Sequence, residues 1–116
     1  MTYFNINTIA AMCYSLNREW NRTNNDPVPV DWPYAPEDTK LRYCQMVVMF
    51  SEGATEEQVH DAARNYLTAN GWTIGSLNRE KKTHPYLVPY SQLGLRLRLK
   101  YLIYRQLVRA FVENKE

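Results

Sequence analysis

Five residues between positions 72 and 90 carry side chains suited to holding an anionic aromatic molecule: Trp72, Lys81, Lys82, His84 and Tyr90. An indole face stacks on a purine, an interaction worth about 1–3 kcal/mol per base. Two adjacent ammonium groups neutralise a phosphate. The imidazole of His84 precedes Pro85, which holds it in extended backbone. Each residue also has a purely structural reading. A tryptophan after a helix stop can anchor a core, paired loop lysines can simply be solvated, and a histidine can be hydrogen-bonded for packing alone. Trp32 and Tyr34 add two aromatic candidates on a proline-rich stretch, facing either a ligand or one end of the fold.

Catalytic constellations are missing from the pattern. Two histidines and two cysteines offer no zinc-ligand spacing such as Cys-x-x-Cys, so no metal is expected. There is no P-loop, no Gly-x-Ser-x-Gly and no dinucleotide fingerprint. Cys13 and Cys44 fall on apolar helical stripes, where a thiol is normally inert and reduced. The chain therefore reads as a non-enzymatic binding protein without a cofactor.

The elements that position these residues are helical. Ile6, Ile9, Ala10, Cys13, Leu16 and Trp20 recur at three- and four-residue steps, until Asn24-Asn25-Asp26-Pro27 ends the pattern. Four of the six prolines then fall within positions 27–36 and make a stiff connector. Pro36 with Glu37 and Asp38 starts a second helix running to about Phe50, with Leu41, Cys44 and Val48 inward and Gly53 as its stop. Thr55 and Gln58 have capping-box spacing and open a third, whose stripe is Val59, Ala62, Ala63, Tyr66 and Leu67. Asn70-Gly71 closes it. A fourth helix begins near positions 91–95 and runs to about Asn114. Leu95, Leu99, Leu102, Ile103, Leu107 and Ala110 line one flank; Tyr101, Tyr104, Val108 and Phe111 line the other. Such a helix is expected at the centre of the fold or against a second subunit. Arg98, Arg105 and Arg109 share one narrow line on it, either a solvated face or a surface for an anionic partner. The predicted architecture is an all-α bundle of about four helices in a single domain over 1–116. A long ordered loop joins helices three and four, with one short extended pair allowed between 72–74 and 86–88.

Composition agrees with an ordinary globular domain: 45% hydrophobic and 22% charged residues. A net charge of +2 is too mild for the concentrated basic face that nucleic-acid binding normally requires. The longest apolar run, 46–50, is far short of a membrane span. Met1-Thr2-Tyr3-Phe4 has no leader character, and the expected location is cytoplasmic.

Taken together, Gly71-Trp72-Thr73-Ile74-Gly75 and Lys81-Lys82-Thr83-His84-Pro85-Tyr86-Leu87-Val88-Pro89-Tyr90 resemble the signature of the ryanodine-receptor repeat (RyR) domain. The final stretch from Lys100 through Phe111 resembles that family's last helix. Asn17-Arg18, Trp32 and His60 also stand where the family pattern expects them. The resemblance covers nearly the whole chain. It departs at Tyr14-Ser15, where the family often has His-Glu, at Asn78-Arg79, where an acidic residue is common, and at Tyr101, where Asp is common. These changes make the region less acidic. The resemblance implies a helical fold of the single-domain bacterial or phage type, some members of which stand beside signalling or defence proteins. It also implies a nucleotide or nucleotide-derived ligand stacked on Trp72, and no ion conduction. The leading expectation is a module that senses or sequesters an anionic nucleotide-like molecule. The alternative is a protein-interaction or homodimeric assembly module, and a weaker third reading binds nucleic acid through the arginine line.

Overall fold

Asn5 opens the first helix, α1 (Ile6–Thr23), its side-chain oxygen accepting from the Thr8 N–H at 2.9 Å. The computed structural model describes residues 5–113; positions 1–4, read above as lacking a leader, and Asn114, read as the end of the last helix, lie outside them. Asn25 takes a left-handed backbone after α1, at φ 59°. The proline connector follows, with a single 3-10 turn at Trp32–Tyr34. The second helix, α2 (Glu37–Ser51), carries Glu37 and Asp38 at the positive end of its dipole. Gly53 ends it at φ +97°, where a side chain would be strained. The third helix, α3 (Glu56–Ala69), has the complete capping box: Gln58 N–H donates to Thr55 Oγ1, and Thr55 N–H donates to Gln58 Oε1. The fourth, α4 (Leu95–Glu113), contacts all three others.

The frame is therefore mostly helical, but not purely so. Two strands, β1 (Thr73–Ile74) and β2 (Thr83–His84), pair in parallel, with Thr73 opposite Thr83 and Ile74 opposite His84. The expected partner of 72–74 was 86–88. The difference follows from a tight closure at 78–83. Asn78 and Thr83 exchange backbone hydrogen bonds at 3.1 and 3.0 Å. Asn78 Oδ1 accepts from the Lys81 N–H, and Lys82 takes a left-handed conformation at φ 56°. That turn brings the chain back earlier than hydrophobic pattern alone suggests.

The core gathers Ile9, Ala10 and Cys13 from α1, Met46, Val47 and Phe50 from α2, Val59 from α3, and Tyr104 and Val108 from α4. Two inward faces differ from expectation. On α2, Leu41 is exposed and Cys44 and Val48 are half-buried, while Thr39, Met46, Val47 and Phe50 face in. The run 46–50 is apolar at every position, so its periodicity could not select a face. On α4 the flank bearing Tyr101, Tyr104, Val108 and Phe111 packs inward, joined from the other flank by Leu107. Leu95, Leu99 and Leu102 on the opposite flank are 65%, 40% and 37% exposed, so α4 is covered on one side rather than all round. No helix among the described residues is long and apolar enough to cross a membrane.

Candidate functional site

The loop from α3 to α4 is held in place mainly by one histidine. His60 on α3 is buried, with its Nε2 2.7 Å from the Val88 carbonyl oxygen and its Nδ1 3.0 Å from the Tyr101 hydroxyl. The carbonyl can only accept, so Nε2 carries the proton and Nδ1 accepts from Tyr101. The neutral ring thereby ties α3 to the loop and to α4. Burial lowers its pKa, which favours the same neutral state. Tyr90 packs on this pin, with ring centroids 6.1 Å from His60 and 6.2 Å from Tyr101.

Trp72 and His84 are brought together. Both are half-buried, and their ring centroids lie 6.2 Å apart, with Tyr86 5.2 Å beyond His84. The Tyr86 N–H donates to His84 Nδ1 at 3.1 Å, which orients the imidazole. Gly75 sits close beside this group: an added Cβ would stand 3.2 Å from the Thr83 Cβ, tighter than an ordinary contact.

The remaining sequence candidates are dispersed. Lys82 Nζ donates to the Asn70 carbonyl at 3.0 Å, capping the end of α3 rather than facing the aromatic group. Lys81 is exposed on the turn. Trp32 packs edge-on against Tyr14 and Tyr43 at 5.4 and 6.4 Å, covering the fold, whereas Tyr34 is 80% exposed. The arginine line is not a free face. Arg105 donates to Glu56 at 2.6 Å and Arg109 donates to the Ser51 carbonyl at 3.2 Å, tying α4 to α3 and α2. They border a shallow depression of about 570 Å³ with Gly53, Gln106 and Ala110. Arg98 is half-buried beside Tyr90, where Glu56 and Glu57 oppose its charge.

Two arginines influence the His84 imidazole electrostatically. Arg42 on α2 and Arg79 on the 78–83 turn both act on His84; burial lowers the imidazole pKa most, and the two guanidinium charges lower it further. Arg42 also acts on Tyr43 and Tyr101, and Arg79 on Tyr14. An edge-to-face chain of rings connects these tyrosines: Tyr14 to Tyr43 at 5.3 Å, Tyr43 to Tyr104 at 6.0 Å, and Tyr104 to Tyr101 at 6.5 Å. Burial pushes the Tyr43 phenol up to about 12 and raises Tyr101 further, so both remain neutral donors. Tyr14, Tyr43 and Tyr101 come from three different helices and Arg79 from the 78–83 turn, so spacing in the chain could not group them.

No three His, Cys, Asp or Glu side chains among the described residues converge on a point that could hold a metal. Cys13 is fully buried, its thiol pushed up to about 12, and Cys44 donates to Asn7 Oδ1 at 3.3 Å. Comparison of the chain with family models, with curated proteins and with solved structures yields no match.

Proposed function

We propose that this chain is a non-enzymatic ligand-binding module of the RyR-domain type, which takes an anionic, nucleotide-like small molecule beside Trp72 and senses or sequesters it. The observation that carries this reading is the group formed by half-buried Trp72 and His84 with exposed Tyr86 beside them, where the charges acting on His84 are those of cations. Flat aromatic surface next to uncompensated positive charge suits a base joined to an anion. The residues at which the chain departs from the RyR-domain pattern make it less acidic, in keeping with an anionic ligand. Calorimetric titration against mononucleotides, dinucleotides and cyclic dinucleotides tests the reading. Binding of at least one class, lost in Trp72→Ala, is expected. No binding across the panel, or binding unaffected by Trp72→Ala, refutes it.

A second reading, homodimeric assembly, is favoured by the exposed row Leu95, Leu99 and Leu102, spaced i, i+4, i+7 on one face of α4. Light scattering distinguishes the two: a strict monomer at high concentration excludes self-assembly.

A further inference from the structure

We infer that the proline connector, residues 27–36, is a docking ligand for another protein, whose groove is lined by aromatic side chains and rimmed by basic ones.

Polyproline II geometry and the 3-10 turn both have about three residues per turn, so positions three apart share an edge along the whole connector. Asp31, Ala35 and Pro36 take the extended backbone of that geometry, at φ −65°, −67° and −58° with ψ 157°, 148° and 148°. One edge turns inward: Pro29 is half-buried, Trp32 packs edge-on against Tyr14 and Tyr43, and Ala35 is buried. The second edge, Pro27, Val30, Pro33 and Pro36, is exposed at every position. So is the third, which runs through Val28, Asp31 and Tyr34 to Glu37. Singly exposed apolar residues are ordinary on a protein surface. Here they fill one complete edge and half of the next, with Val30 55% and Tyr34 80% exposed.

Hydrogen bonds to the backbone hold the connector in this attitude. Asn21 Nδ2 donates to the Pro27 carbonyl at 3.0 Å, Arg18 Nε to that of Pro29 at 3.0 Å, and the Tyr14 hydroxyl to that of Val30 at 2.6 Å. The three donors are spaced by four and three residues on α1, which places them on one helix face. Lys40 of α2 donates to the Pro33 carbonyl at 3.2 Å. The segment is therefore ordered before any partner arrives, and association does not have to order it. Pre-formed proline segments of this kind dock in aromatic-lined grooves, where side chains on the outward edges give specificity.

Charge selects the rim of that groove. Asp31, Glu37 and Asp38 are exposed along the third edge and just beyond it. Arg18 and Lys40, which stand 3.5 and 3.8 Å from Asp31 and Glu37, are half-buried. The outer surface is thus acidic as well as apolar, and basic residues around the groove complement it.

Titration of the isotope-labelled full chain with purified SH3, WW and EVH1 domains, followed through amide NMR shifts, tests the surface. At least one domain is expected to bind and to shift the amides of Val28, Val30, Asp31 and Tyr34 rather than those of α3 or α4. Val30→Asp and Tyr34→Ala should each weaken that binding about tenfold or more, and added salt should weaken it in the wild type. Both side chains are exposed, so the variants keep the fold, which unshifted α4 amides verify. No binding by any of the domains overturns the inference. Binding that neither substitution weakens, or shifts confined to other surfaces, overturns it too. Shifts of the same amides that grow with the concentration of the chain alone assign the face to a second copy and also overturn it. Binding indifferent to salt overturns the basic rim. None of these outcomes bears on ligand binding beside Trp72, which Trp72→Ala tests separately.

Discussion

Replacing His60 with leucine should loosen the loop that carries the candidate site, by an amount that can be worked from its two hydrogen bonds. Leucine approximates the volume of the ring, so little cavity is created and the polar loss dominates. The Val88 carbonyl and the Tyr101 hydroxyl, 2.7 and 3.0 Å from the imidazole, would both lose their partner. Each buried orphan costs about 1–3 kcal/mol. Val88 is only half-buried and regains water in part, so a total of about 3 kcal/mol is expected. For a chain of this size that corresponds to a fall in Tm of roughly 12 °C. Tyr101→Phe alone should cost about 1–2 kcal/mol, because it leaves only His60 Nδ1 unpaired. The double variant should lose less than the sum, since removing the Tyr101 hydroxyl eliminates one of the orphans that leucine creates.

The same histidine imposes a pH dependence with a defined sign. Burial lowers its native pKa below the ordinary 6.5, so the unfolded chain takes up the proton first as pH falls. Its contribution to stability is complete above about pH 6.5 and declines as pH drops towards the native pKa. His84 is depressed in the same direction and adds to the slope. Urea denaturation of wild type and His60→Leu at about pH 7.5 and about pH 5.5, on either side of the ordinary histidine pKa, measures both effects. The variant should have the shallower pH dependence. A loss under about 1 kcal/mol at the higher pH, or an unchanged pH slope, would refute the role of His60 as the loop's pin.

Other outcomes follow from single contacts. Thr55→Ala removes one half of the capping box of α3 and should cost about 1 kcal/mol, read as a shift in the urea midpoint with an unchanged m-value. Cys13 should resist maleimide in the native protein at about pH 8, because burial pushes its thiol up to about 12, and should react once urea unfolds the chain; Cys44 should label first.

The elements and their ends were legible in the chain because their causes are local. The Thr55–Gln58 capping box, the left-handed Gly53 and Gly71 stops and the proline connector depend on neighbours within about four residues, so spacing alone identifies them. The aromatic loop was visible for the same reason, and its Trp72–His84 pairing follows from a short return of the chain. Which face of a helix turns inward was decided by packing. Both flanks of α4 are apolar, and the tyrosine flank faces in where Tyr104 and Val108 join Phe50 and Cys13 in one core. The pin that holds this loop is a tertiary product throughout. His60 lies on α3, Val88 in the loop and Tyr101 on α4, and nothing in their own segments marks them as partners. Sequence could display the aromatic surface, since neighbouring residues build it; the hydrogen bonds that hold it in place join groups far apart in the chain, and only the fold makes them neighbours.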